Sequence, residues 1–187
     1  MNSSKIYRFI TIFLVLAFIV GGMYYWSLQT NIGPIYTYDS QKDRAALIEI
    51  YKQNWFWLTT NPNEADAIKS FEHNLDTLSS TYSPFDQSNL IIKVYRDAEG
   101  TKGFVAYHRD GWLAARILYL AINEKYRRRG YAELLMKYAI EDIKKQGYTR
   151  IDIFTRVVNE RAQNLYKKFG FTSNWTDGEY ITYKRHL

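Results

Sequence analysis

Between Phe9 and Leu28 the chain runs "FITIFLVLAFIVGGMYYWSL" without one charged residue. A helix of that composition has no polar face to turn toward water, so it cannot be an ordinary surface helix of a globular domain. Its length matches the roughly 20 residues a helix needs to cross a hydrocarbon core. Lys5 and Arg8 precede the stretch, and Tyr24, Tyr25 and Trp26 close it, as aromatics do at a membrane interface. Two rival readings are a cleaved signal peptide, with its apolar region at Phe9–Val20 and a weak cleavage site at "VGGM", and a buried core helix. The apolar run continues past Val20 into the aromatics, which favours an anchor over residues 1–29 and a separate domain over residues 30–187.

Outside that segment the chain reads as globular. Its composition of 47% hydrophobic residues excludes a disordered chain. Setting the segment aside takes Lys5 and Arg8 from 25 basic residues and none from 19 acidic ones, so the formal charge falls from +6 to +4. That surplus is too mild to argue for a nucleic-acid partner. With no cysteine there is no disulfide, no thiolate metal site and no cysteine nucleophile. His73, His108 and His186 lie far apart in sequence, without metal-ligand spacing, so no metal is expected.

From Pro34 onward, segments with period two and period 3.6 alternate. A short strand at Pro34–Asp39 precedes a helical pattern from Arg44 to about Leu58 and a second one from about Asn63, where Asn63 or Asp66 would cap it. "LIIKVYRD" and "GFVAYHRD" read as strands joined by a hairpin at "AEGTK". Asp110–Gly111 marks another tight turn, leading into the long strand "WLAARILYLAI". A helix from Gly130 to Gln146, the strand "YTRIDIFTR", a short helix at Asn159–Lys168 and a final hairpin complete the order β-α-α-β-β-β-α-β-α-β-β. The reading is one α/β domain with no internal repeat.

One loop stands out. "YRRRGYAELL" at residues 126–135 falls between the end of a buried strand and the first turn of a helix. Free backbone N–H groups and the positive helix end make such a place an anion site, and Gly130 and Ala132 let a phosphate approach the backbone. No Lys-Ser/Thr follows the glycine, and G-x-G-x-x-G is absent, so the loop belongs to neither a P-loop nor a dinucleotide-binding turn. Three arginines alone favour a solvated basic turn.

A second stretch decides between these. "LAINEKYRRRGYAELLM" resembles the acyl-CoA-binding motif of the GNAT N-acetyltransferase superfamily, [R/Q]-x-x-G-x-[G/A] between strand and helix, here Arg127-x-x-Gly130-x-Ala132. "NERAQNLYKKFGF" resembles the same superfamily's second motif, an Asn capping a short helix, a Tyr one to two turns later, then Phe-Gly-Phe. Each motif alone is weak, but in this order and separation they are specific, and the resemblance runs from Ile35 to the C-terminus. It implies a mixed, mostly antiparallel central sheet flanked by helices, and acetyl-CoA as cosubstrate.

The resemblance also implies roles. The pyrophosphate would rest on the amides of Arg128, Arg129, Gly130, Tyr131 and Ala132, with Arg127 and its neighbours adding charge. A bulge at the end of the long strand would let the backbone of Leu120 and Ile122 hold the pantetheine arm as an added strand. Asn159 would cap its helix beside the cofactor, and Tyr166 would protonate the departing thiolate. Spacing alone favours a core tyrosine at 166. Leu165 and Phe169 already fill the core stripe, however, which displaces Tyr166 toward the cofactor, and the motif reverses the preference.

Two features depart from the superfamily's pattern. Arg128 stands where glycine is common. No carboxylate lies on "WLAARILYLAI", where some members carry a base, and the corresponding position is Arg116, either an outward cation or a selector of carboxylate-bearing acceptors. Asp152 and Glu179 are the remaining base candidates by strand position, though salt-bridged surface roles suit both. Trp55, Phe56 and Trp57 read as core, and Tyr82–Asn89 as an acceptor loop. The expectation is a membrane-anchored N-acyltransferase passing acetyl from acetyl-CoA to a primary amine by direct attack in a ternary complex. The alternative is a catalytically impaired CoA-binding or protein-interaction module at a membrane. Charge bias would keep Lys5 and Arg8 in the cytosol. Acetyl-CoA is cytosolic, however, so the catalytic domain is expected there, with signal-peptide export as the competing arrangement.

Overall fold

A computed structural model describes residues 34–78 and 90–187, all within the compact unit Pro34–Leu187. The apolar stretch at 9–28 and the loop Tyr82–Asn89 lie outside the described residues. Among the described residues no helix is long and apolar enough to cross a membrane.

Seven strands form one sheet: β1 (Ile35–Thr37), β2 (Ile91–Asp97), β3 (Gly100–Arg109), β4 (Ala114–Ile122), β5 (Arg150–Arg156), β6 (Thr172–Asp177) and β7 (Tyr180–His186). Their order is β1-β2-β3-β4-β5-β7-β6, and every neighbouring pair is antiparallel except β4 with β5. The exception follows from connectivity. Strands joined by short turns return antiparallel, whereas β4 reaches β5 through a helix, α4 (Tyr131–Lys145), and a crossover of that kind makes a parallel pair.

Period-two alternation gives the sheet two apolar faces. One carries Ala115, Ile117, Ile151, Ile153 and Tyr183 and is covered by Leu135, Met136 and Ala139 of α4 and by Tyr166 of α5 (Glu160–Lys168). The other carries Val94, Phe104, Tyr119 and Ala121. It packs on Leu47 and Tyr51 of α1 (Ser40–Lys52) and on Phe71 of α3 (Glu64–Thr77), with Tyr51 and Phe71 stacked at 4.1 Å. Close packing between β3 and β4 needs Gly103, because a Cβ there would lie 2.4 Å from Ile122 Cδ1 and 2.7 Å from the Ala121 carbonyl.

The element order agrees with the sequence pattern, but two details differ. The single helix expected from Arg44 to Leu58 is broken into α1 and a one-turn helix, α2 (Trp55–Leu58). The break is at buried Asn54, whose amide donates to the Ile50 carbonyl at 2.7 Å, a side-chain alternative to continuing the helix. The bulge expected at the end of β4 lies in its middle. Ala106 pairs with Tyr119 and Tyr107 with Ile117, which leaves Leu118 as the extra residue. From Ile117 to Ile122 the strand is apolar throughout, and nothing in such a run marks where the register slips.

A buried charge ties α1 to the sheet. Asp43 is fully buried and accepts from Arg96 Nη1 at 2.6 Å, Thr101 Oγ1 at 2.7 Å and the Asp39 amide at 2.9 Å. Satisfied on all sides, it is tolerated in the core. Removing it would strand Arg96 and cost about 2–3 kcal/mol, a figure lowered for that side chain's partial exposure.

Candidate functional site

The sheet opens where its one parallel junction ends. β4 and β5 pair from Ala114–Arg150 to Ile117–Ile153 and no further, after which β4 continues with β3 and β5 with β7. A cleft of about 450 Å³ occupies the split. Leu118, Leu120 and Ile122 form one wall and Phe154 and Thr155 the other, with Trp57 and Leu58 of α2 on one side of the sheet and Leu165 and Tyr166 of α5 on the other. Because residues from both faces line it, the cleft passes through the sheet.

At one end the cleft meets the arginine loop. The 3-10 turn Glu124–Tyr126 uses the amides of Tyr126 and Arg127 for its own bonds, and α4 begins its bonding with Glu133 N to Gly130 O at 3.0 Å. Between them, the amides of Arg128 through Ala132 have no acceptor among the described residues. Gly130 is the N-cap of α4 with φ 83°, has no side-chain cap, and a Cβ built on it meets no protein atom within 4 Å. The helix therefore starts with its donors unspent.

Leu120, Ile122, Arg127, Arg128, Gly130, Tyr131, Ala132 and Asn159 all line the cleft. Arg129 does not; its guanidinium lies over the Tyr126 ring at 5.5 Å. Arg127 lines the cleft but is already engaged, donating to Asn54 Oδ1 at 3.0 Å and pairing with Glu124 at 2.9 Å, so it braces the loop more than it offers free charge. Arg128 has φ 64°, the left-handed region that glycine occupies without cost. That explains why glycine is common at this position and identifies Arg128 as a strained residue whose side chain replaces that freedom with charge.

Two residues went unnoticed in the sequence. Arg161, at the start of α5, also lines the cleft; burial lowers its pKa, and the charges of Arg127 and Arg128 lower it further. Three guanidinium groups thus crowd one end of the cleft, an arrangement an anion would relieve. Thr155, on β5, is buried beside Tyr166. Its Oγ1 accepts from Asn159 Nδ2 at 3.0 Å while Asn159 Oδ1 caps α5 by accepting from the Ala162 amide at 3.2 Å. Neither role has a sequence signal, since each depends on where β5 meets α5.

Tyr166 reverses one expectation. It, and not Leu165 or Phe169, holds the most buried position on α5, with its ring 5.6 Å from Tyr183 and 6.1 Å from Phe171. It still lines the cleft. Burial raises its pKa well above that of free tyrosine, against the lowering effect of the hydrogen bond with Thr155. The phenol therefore stays protonated and able to donate.

The base candidates fare less well. Asp152 Oδ2 takes both Nε and Nη2 of Arg150 at 2.9 Å, and Glu179, largely exposed, is bound to Arg156 at 2.5 Å. Neither lines the cleft. Arg116 is held by Asp110 at 2.7 Å. Phe56 and Trp57, expected in the core, are substantially exposed instead, and Trp57 faces the cleft. Among the described residues no cluster of three or more His, Asp or Glu could hold a metal.

The family model described as "Acetyltransferase (GNAT) family" matches residues 44–171, more than half of the chain. The chain belongs to the GNAT acetyltransferase family. It is an enzyme of that family, and the relatives named here are N-acetyltransferases. A Bacillus subtilis protein provisionally named a ribosomal protein bS18 alanine N-acetyltransferase is 32% identical over 90 residues, which is 42% of this chain and 60% of that relative. This chain therefore matches less than two thirds of that relative's length. Two crystal structures share the fold. The PaiA N-acetyltransferase of Thermoplasma acidophilum, in complex with coenzyme A, has a TM-score of 0.65 at 18% identity, covering 82% of this chain and 98% of that one. The ribosomal-protein-S18-alanine N-acetyltransferase of Escherichia coli has a TM-score of 0.59 at 17% identity, covering 81% and 92%.

Acetyl-CoA fits the residues present. The unspent amides and the arginines suit a pyrophosphate, and the apolar walls of the split suit an uncharged arm leading to a thioester beside Tyr166.

Proposed function

We propose that this GNAT enzyme passes an acetyl group from acetyl-CoA to a primary amine by direct attack within a ternary complex. The observation that carries the proposal is the run of unspent amides, Arg128–Ala132, at the mouth of a cleft that crosses the sheet. Acetyl-CoA supplies the activated acyl group. The chain's residues hold it by its phosphates, align it along β4 and leave the opposite side of the sheet for the amine, so catalysis is largely positioning. The bulge at Leu118 lies at the split, where a backbone N–H turned toward the cleft would polarise the thioester carbonyl.

Tyr166 acts on the sulfur. Thr155 already receives a hydrogen bond from Asn159, so its own hydrogen is directed at the Tyr166 oxygen, which leaves the phenolic hydrogen for the departing thiolate. A thiolate is a weaker base than a phenolate whose pKa burial has raised, so Tyr166 stabilises the leaving group by donation without giving its proton up for good. The one carboxylate that lines the cleft among the described residues, Glu133, is paired with Lys168 at 2.7 Å, so the amine loses its proton to water or arrives without it.

The names of the Bacillus and Escherichia relatives, both alanine N-acetyltransferases of a ribosomal protein, support a polypeptide α-amine as the acceptor. The missing base is the one observation favouring the other reading, a CoA-binding module without turnover. Thiol release from acetyl-CoA with a panel of N-terminal peptides and small amines separates the two. Tight CoA binding with no thiol release from any acceptor would mean a binding module. We further propose that residues 9–28 anchor the enzyme in a membrane with residues 30–187 on the cytosolic side, a reading supported by the uncharged stretch and the location of the donor. Protease added to intact cells should spare the domain until the membrane is permeabilised; earlier digestion would overturn the orientation.

A further inference from the structure

On the sheet face turned away from α4 and α5, a second concavity of about 250 Å³ adjoins the cofactor cleft. The two share Ile153 and Phe154, the residues at which β4 and β5 part. An acceptor reaching the thioester through the split from this side must pass over it.

Its floor is charged. Arg116, Asp152 and Lys184 sit side by side across β4, β5 and β7, because Asp152 is the register partner of both Arg116 and Lys184. Each alternates with core residues of the other face, so all three project into the concavity together with Arg150. Arg150 is spent on Asp152 and Arg116 on Asp110. Lys184 has no ion-pair partner among the described residues, so this small polar hollow keeps one positive charge in excess.

We propose that this hollow is an acceptor subsite for a carboxylate, with Lys184 as its principal contact and Arg116 and Arg150 as supporting charge. The proposal rests on the acetyltransferase reading and deepens it by naming the acceptor class. Asp152 lies two residues before Phe154 on β5, so the carboxylate site is set back about 7 Å along the strand from the place where β4 and β5 part. An α-amino acid is too short to span that distance. A polypeptide N-terminus with Asp or Glu at its second position spans it, which makes acidic N-termini the preferred acceptors.

The test compares the peptides Ala-Glu-Ala-Ala, Ala-Gln-Ala-Ala and Ala-Lys-Ala-Ala, each at low ionic strength and again at high salt. The full chain should favour the glutamate peptide over the glutamine peptide by about tenfold in kcat/KM, the size of one charge-assisted contact, and salt should reduce the preference. Lys184→Gln should bring the ratio near one, and Lys184→Glu should invert it in favour of the lysine peptide. CoA affinity, measured by calorimetry on the same proteins, reports separately on the cofactor cleft. Equal turnover of all three peptides by an enzyme that binds CoA would overturn the subsite and leave the acetyltransferase reading standing. CoA binding without turnover of any peptide would overturn both.

Discussion

Two helices of this domain begin in opposite ways. At the start of α1, Asp39 accepts from the amides of Gln41 and Lys42 at 3.0 and 3.3 Å, and Asn63 and Asn159 do the same service for α3 and α5. At the start of α4, Gly130 supplies no acceptor, and the amides from Arg128 to Ala132 stay unpaired among the described residues. Of the four helices longer than one turn among the described residues, three are thus capped from within and one is left for something from outside. An uncapped N-terminus costs about 1 kcal/mol of stability, and one retained beside three arginines reads as a site reserved for an anion.

Giving α4 a cap of its own should break this difference most severely. Gly130→Asp places an acceptor and a negative charge where we propose the phosphates sit, at a positive φ that Asp tolerates better than most residues. Loss of two charge-assisted bonds, with added repulsion, amounts to about 4 kcal/mol, so CoA affinity by calorimetry should fall by about a thousandfold. The melting temperature should change little by comparison.

At the other wall of the cleft, Tyr166→Phe keeps the ring packing on Tyr183 and Phe171 and removes only the donor. We expect kcat to fall about a hundredfold in steady-state assays with CoA affinity unchanged. In the parent enzyme the raised pKa of Tyr166 keeps it protonated as pH rises, so activity should show no alkaline fall from this group through pH 10. kcat/KM should instead rise with pH and level off at the pKa of whichever amine is supplied, moving when the amine is changed.

Smaller effects sharpen the contrast from the other side. Asp39→Ala should cost about 1 kcal/mol in chemical denaturation and leave CoA affinity alone, because the cap of α1 serves only its helix. Arg128→Gly should relieve the left-handed strain, raising stability by about 1 kcal/mol, or about 2–4 °C in melting temperature, while weakening CoA by less than tenfold.

Local signals made much of this legible in the sequence. The loop, its glycine, the caps at Asn63 and Asn159 and the order of elements all depend on residues within a few positions of one another. What escaped depends on residues brought together only by folding. Asn54 breaks a helix because the end of β4 and Arg127 lie beside it. Arg127 is engaged where free charge was expected because Asn54 and Glu124 are within reach. Thr155 reaches Tyr166 only because β5 passes under α5. The position of the bulge within β4 had no marker, because the residues from Ile117 to Ile122 are apolar on both faces.

The parallel seam between β4 and β5 also has a kinetic meaning. β2, β3 and β4 follow one another through short turns, and β6 and β7 share a hairpin, so each group can zip from local contacts. β4 and β5 meet only after all of α4 has been laid across the sheet, and they do so over just the four pairs from Ala114–Arg150 to Ile117–Ile153. Pairings of long sequence separation form late, because the loop entropy is lost before the contact is gained. The two halves of the sheet therefore assemble early and apart. By that rule the seam, closed across 36 residues, forms after the hairpin-built groups, and β1, which reaches β2 across 56 residues or more, joins later still, so the cleft takes shape while the edge of the sheet is open.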